Sequence, residues 1–226
     1  MINTKSIFIV LVLLLFTSSV CAENESQKVK GGTMKLPEPR YSSKISVEEA
    51  IKSRRSIRSY KDVPLSLSEL GQLLWAAQGL TAKWGGRTAP SAGATYPLEI
   101  YAVVGKVENL DAGVYHYNPQ DHTIRLHKNG DLRSTLANAA LGQACITNAP
   151  IDLVFAARYE RTTGRYRERG IRYVHMEVGH VGQNVHLQAE TLGLGTVVIG
   201  AFHDDKVKDV LGIEGEPLYI MPVGKK

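Results

Sequence analysis

The sequence predicts an α+β fold, a mixed layer of strands flanked by helices. Three observations carry this. Tyr115 to Tyr117 and Thr123 to Leu126 flank Asn118-Pro119-Gln120-Asp121, which reads as a hairpin. Most other strand signals are separated by helical stretches. Val174, Val178, Val181, Val185, Ala189 and Leu192 recur every three or four positions, predicting a long helix from about Ile171 to Leu192. A hairpin among helix-separated strands argues against a doubly wound parallel sheet.

Each element has a local reason. Ser46 with Glu49 three residues on forms a capping box, and Val47, Ala50 and Ile51 mark the apolar face behind it. Ser66 and Glu69 repeat the device ahead of Leu67, Leu70, Leu74 and Ala77, with Gly79 suited to the helix end. Leu98 to Val104 alternates as a strand. Ile151 to Ala157 reads as a central strand. Gly193 and Gly195 break the long helix. A strand follows at Thr196 to Ala201, a short helix at Asp205 to Leu211, and a last strand at Leu218 to Val223.

The first 22 residues read as a signal peptide. Lys5 precedes the apolar run Ile7 to Phe16, and Val20-Cys21-Ala22 offers small residues for cleavage before Glu23. The run is short for a membrane span. An uncleaved anchor is the alternative, and the membrane is expected to be met only through it. Residues 23–43 are polar, hold Gly31-Gly32, Pro37 and Pro39, and read as a linker or arm. The remaining 44–226 suffice for one domain with a sizeable core. Export to the periplasm, cell surface or medium is the expectation. After cleavage Cys145 is the one remaining cysteine, so no intramolecular disulfide is expected.

The formal charge of +5 and a hydrophobic share of 43% suit an ordinary globular domain. The isoelectric point of about 9.1 raises a nucleic-acid reading. The basic residues are scattered, however, apart from Arg54 to Arg58 and Arg158 to Arg172, and no nucleic-acid motif accompanies them. His175, Glu177 and His180 mimic a zinc-protease signature, but the two histidines are five apart and swing off a common helical face. No metal site is expected.

Two segments carry chemistry. Arg54-Arg55-Ser56-Ile57-Arg58 concentrates three permanently charged, fork-shaped donors and a hydroxyl, which suits phosphate oxygens; a solvated helix end would look the same. Pro90-Ser91-Ala92-Gly93-Ala94-Thr95-Tyr96-Pro97-Leu98-Glu99 is a shaped loop of small residues that lets a flat ligand approach the backbone. Together the two segments resemble the FMN-dependent nitroreductase family, most closely the SagB-type branch of azoline-oxidising enzymes in peptide maturation. The resemblance continues through Gly113-Val114-Tyr115-His116-Tyr117, Arg172-Tyr173, Glu177 to His180 and Val198 to Phe202, covering about Ser46 to Gly224.

The resemblance implies a nitroreductase-like fold, an intertwined homodimer, and FMN at the subunit interface. Arg54 and Ser56 would hold the phosphate and ribityl end, with Arg55 and Arg58 assisting. Pro90, Ser91, Ala92 and Gly93 would line the ring through backbone contacts, with Thr95 and Tyr96 beside it. Ile199 and Gly200 would offer N–H groups to the ring, and Lys225 would be a further phosphate contact. Gly179 and Gly182 make the long helix a candidate dimer helix. Two positions depart from the family: Ala94 stands where many members have Asn, and Arg165-Tyr166 replaces the Lys-Tyr pair of azoline oxidases. Arginine cannot act as a base, so azoline oxidation is not expected. The expected function is two-electron, ping-pong redox chemistry through FMN between a small-molecule donor and acceptor, with Tyr166 as proton donor. The alternatives are a non-catalytic flavin-binding protein and a secreted anion-binding domain that has lost FMN.

Overall fold

Seven strands form one sheet in the computed structural model, which describes residues 32–226. The leader and residues 23–31 of the expected linker lie outside the described residues. In chain order the strands are β1 (Thr33–Lys35), β2 (Leu98–Val104), β3 (Gly113–Asn118), β4 (Thr123–Asn129), β5 (Ile151–Ala157), β6 (Leu194–Thr196) and β7 (Glu216–Lys225). Their spatial order is β1-β4-β3-β2-β5-β7-β6, and every ladder is antiparallel. Among the described residues parallel pairing is confined to isolated bridges at Ser56–Thr196 and Leu65–Val107.

The helices are α1 (Val47–Ser53), α2 (Leu67–Gln78), α3 (Arg133–Ala139), α4 (Ala144–Asn148), α5 (Glu160–Tyr166), α6 (Arg169–Thr191) and α7 (Asp204–Leu211). Both capping boxes form. The Glu49 N–H donates to Ser46 Oγ at 3.1 Å, and the Ser46 N–H returns to the Glu49 carboxylate at 3.0 Å. Ser66 and Glu69 repeat this at 3.2 and 2.9 Å. The hairpin β3–β4 and the central strand β5 stand where the sequence puts them.

Strand β5 has apolar contacts on both faces, which explains its near-continuous apolar run. Ile151, Leu153 and Phe155 join a core cluster with residues of α2 and α6; Val154 and Ala156 join a second cluster with residues of α3, α4 and α7. On α6 the predicted stripe is core: Val174, Val178, Val181, Val185 and Ala189 are buried in the first cluster. Each large one contributes roughly 1.5–3 kcal/mol. Gly182 is within van der Waals distance of Tyr219 and Val198, whereas Gly179 has open space beyond it. The stripe is therefore filled by the chain's own sheet, and it is not a free dimer face.

Two elements differ from expectation. Part of the expected linker pairs as β1 along the β4 edge, with Met34 and Leu36 buried, because these two side chains join the first core cluster. The strand expected at Thr196 to Ala201 stops at Thr196; beyond it only Ile199 bridges Ile220. Cys145 is a free, buried thiol on α4 that joins the second core cluster.

Candidate functional site

At the end of α1 the chain turns at Arg54 and runs beside β6. The Ile57 N–H donates to the Thr196 carbonyl at 2.9 Å, and Ser56 bridges the same residue. This fixes Arg54 to Arg58 against the sheet margin. Arg55 donates to the carbonyls of Lys52 and Arg54 at 3.0 and 2.8 Å. Among the described residues none of Arg54, Arg55 and Arg58 forms an ion pair with a carboxylate. Three guanidinium groups within five residues, none ion-paired among the described residues, are a donor set that suits an anion.

Behind this clamp lies His186, buried on α6. Burial pushes its imidazole down to about 4, and the Arg54 charge adds to the effect while Glu190 opposes it. Glu190 in turn accepts from Lys226 Nζ at 2.6 Å. Lys225, expected at the phosphate, has its ammonium paired with Glu69, the capping carboxylate of α2. Ile199, expected at the ring, is engaged within the chain. Its N–H donates to the Ile220 carbonyl at 2.9 Å and is not free for a ligand. The exposed Gly200 N–H makes no hydrogen bond among the described residues, so it alone of the pair remains available.

The second segment is a strained loop with a single 3₁₀ turn at Ala92–Ala94. Gly93, Ala94 and Tyr96 have φ of 61°, 53° and 45°. The left-handed region costs a non-glycine residue about 1–2 kcal/mol, and such strain persists where surrounding contacts impose it. Those contacts are visible. The Tyr96 N–H donates to Ser91 Oγ at 2.9 Å. Near it is the buried Glu177 of α6, which accepts from Gln78 Nε2 at 3.4 Å and whose carboxyl is pushed up by burial against the opposing pull of Ser91 and Gln78. Thr95 Oγ1 lies 2.8 Å from Thr162 Oγ1. Thr95 and Tyr96 are thus turned onto the protein; the part of the loop that stays exposed is Pro90 and Gly93-Ala94.

Helix α5 brings Arg165 and Tyr166 onto this loop. A Cβ built on Gly93 would meet the Tyr166 hydroxyl at 2.6 Å and Arg165 Nη1 at 2.8 Å. Arg165 Nη1 also donates to the Gly93 carbonyl at 3.3 Å, and the Tyr166 ring packs edge-on against Tyr173. The glycine is needed here for both its φ and the closeness of Tyr166.

The two clusters sit on different stretches of α6. Glu177 reaches the loop and His186 the clamp; nine residues of helix separate them, or about 14 Å. No backbone hydrogen bond joins the clusters among the described residues. The residues present fit an FMN group: an uncompensated cationic clamp for a phosphate, and exposed backbone at small residues for a flat ring. The sequence reading missed Arg87, which stacks on Tyr96 at 4.3 Å, and the role of Glu177. Arg87 stands three residues before Pro90, so proximity to the loop was the one available signal.

An arginine cluster and a small-residue loop under a tyrosine, both set against α6 behind an antiparallel sheet, mark this α+β protein. The chain belongs to the nitroreductase family, whose sequence profile matches residues 51–225. It is similar to a nitroreductase-family protein of Methanocaldococcus jannaschii, 50% identical over 196 residues, 87% of this chain and 98% of that one. The fold matches a crystal structure of a Ralstonia eutropha nitroreductase-family protein with a TM-score of 0.76 and 30% identity, covering 86% of this chain and 89% of the other. It also matches a chain of the Escherichia coli microcin synthetase McbBCD complex, with a TM-score of 0.67 and 27% identity, over 93% and 84%. The family likeness thus includes the SagB-like branch.

Proposed function

We propose that this chain is an exported, FMN-dependent oxidoreductase that works as a homodimer. It passes two electrons from a small-molecule donor to a small acceptor in a ping-pong cycle. The observation that carries this reading is the Tyr166 hydroxyl against Gly93 in a strained, exposed loop. FMN, when bound, supplies the two-electron chemistry. Arg54 and Ser56 bind its phosphate end, Arg55 and Arg58 add charge, Gly200 offers an N–H, and the Pro90 to Gly93 backbone supports the ring. The Tyr166 phenol holds the proton delivered to the reduced acceptor. Arg165 lies where an azoline oxidase has its lysine and cannot take a proton.

The homodimer reading is supported by the separation of the two clusters and by an apolar groove of about 380 Å³ between α1, α2 and α6. Val47 and Ile51 on α1 are exposed beside it. Export rests on the basic–apolar–small order of residues 1–22. The test is anaerobic reduction of the FMN-loaded protein followed by a panel of quinone and nitroaromatic acceptors. Reoxidation in proportion to acceptor supports an enzyme. Bound flavin that no acceptor reoxidises would leave a flavin-binding protein without turnover.

A further inference from the structure

Behind the small-residue loop lies a second cavity, about 360 Å³, between the loop, the start of α5 and the β3–β4 turn. Arg87, Arg161, Glu99 and His116 line it with Tyr96 and Tyr117. Its charges are unevenly matched. Glu99 accepts from His116 at 2.6 Å and is paired with Arg161, which also donates to the Tyr96 carbonyl at 3.1 Å. Burial would raise the Glu99 carboxyl, but His116 and Arg161 outweigh it and hold it down at about 2. That carboxylate is ionised and already compensated.

Arg87 has no such partner. Among the described residues no carboxylate lies within ion-pair distance of it. Of its side-chain nitrogens only Nη1 donates, to Gln78 at 3.0 Å, and its Nε is buried without a partner. Its guanidinium lies over the Tyr96 ring, 4.3 Å from the centroid. Glu177, the nearby acid, is turned to Ser91 and Gln78 and is itself pushed toward its neutral form by burial. Glu99 and Glu177 act on the partly desolvated Arg87 only from beyond ion-pair distance, which leaves it able to take an anion from outside.

We infer that this cavity is a binding site for a small carboxylate, separate from the flavin clamp. Its carboxylate meets Arg87 through Nη2, the nitrogen neither buried nor bound to Gln78, and its apolar body lies along Leu98, Tyr117 and Pro119. The volume falls in the usual range for small-molecule pockets. Because Arg87 grips Tyr96, an occupant touches the same loop that carries Gly93.

Benzoate is a suitable probe, titrated into the full chain by calorimetry with and without saturating FMN. The expected result is saturable binding of one benzoate per chain, unchanged by FMN and by Arg54→Ala. Arg87→Met should weaken it about ten- to a hundredfold, the loss of a charge-assisted bond. Benzamide, neutral and of the same shape, should bind the unmodified protein at least tenfold more weakly, a comparison that does not depend on any variant folding. Absence of saturable binding, equal binding of benzamide, equal binding by a folded Arg87→Met, or displacement of benzoate by FMN would each overturn the inference. Displacement would place FMN in this cavity; the other outcomes do not bear on whether FMN binds.

Discussion

Replacing Arg54 by alanine removes a clamp cation that also acts on the buried His186, so the change has two readouts. The first is FMN affinity. Arg54 is half-buried and has no carboxylate partner among the described residues, so its charge is available to a phosphate. Loss of a charge-assisted hydrogen bond costs roughly 1.5–3 kcal/mol, or about ten- to a hundredfold in affinity. Arg55 and Arg58 remain, so binding is weakened and not abolished. Arg161→Ala is the control, because that guanidinium is engaged by Glu99 and Tyr96. The second readout is His186. Burial, with Arg54 adding to it, holds its pKa down at about 4. The unfolded chain takes up the proton near pH 6.5. The stability contributed by the depressed pKa is therefore present above about pH 6.5 and lost as the pH falls through about 4. Removing Arg54 moves the His186 pKa upward and makes this acid loss smaller. A fluorescence titration of FMN at low salt measures the first effect, and a pH titration of the His186 resonances by NMR the second. Equal FMN affinity in Arg54→Ala and Arg161→Ala, with His186 unmoved, would refute the clamp.

Asp152 on β5 is fully buried, both carboxylate oxygens lack partners, and burial pushes its pKa well up. It contributes most stability below the unfolded pKa near 3.9 and loses it as the pH rises. Asp152→Val should therefore stabilise the protein at neutral pH by about 1–3 kcal/mol in a denaturant titration, with a smaller gain at pH 4. The unmodified protein should form no azole from azoline peptides, and Arg165→Lys should leave quinone turnover intact. A two-hydrogen mass loss in the peptide, or a large fall in quinone turnover at full FMN occupancy, would contradict this. Glu23 should be the first residue of the mature protein purified from its native host; a chain beginning at Met1 by N-terminal sequencing would support an anchor.

What could be read from sequence was what short segments decide. Ser46–Glu49 and Ser66–Glu69 are three residues apart, so their capping boxes were legible, as was the hairpin around Asn118 to Asp121. The stripe Val174 to Leu192 gave the helix but not its partner, because apolar periodicity is the same against a sheet or a second subunit. Distant pairings were illegible. The Ile199 N–H is taken by Ile220, the Lys225 ammonium by Glu69, and β1 is held by β4. In the site, Gly93 and Tyr166 were both named from sequence, but their contact spans more than seventy residues and depends on how α5 returns to the loop. Arg87 was invisible because its importance lies in the missing counter-ion, a property of the assembled cavity.

The central claim is that the two clusters on α6 serve an FMN cofactor. The direct measurement is the absorption spectrum of the purified full chain, followed by an FMN titration of any unloaded fraction. The account predicts a yellow protein with a flavin band and saturation at one FMN per chain, weakened by Arg54→Ala. A colourless protein that shows no saturable FMN binding would contradict it.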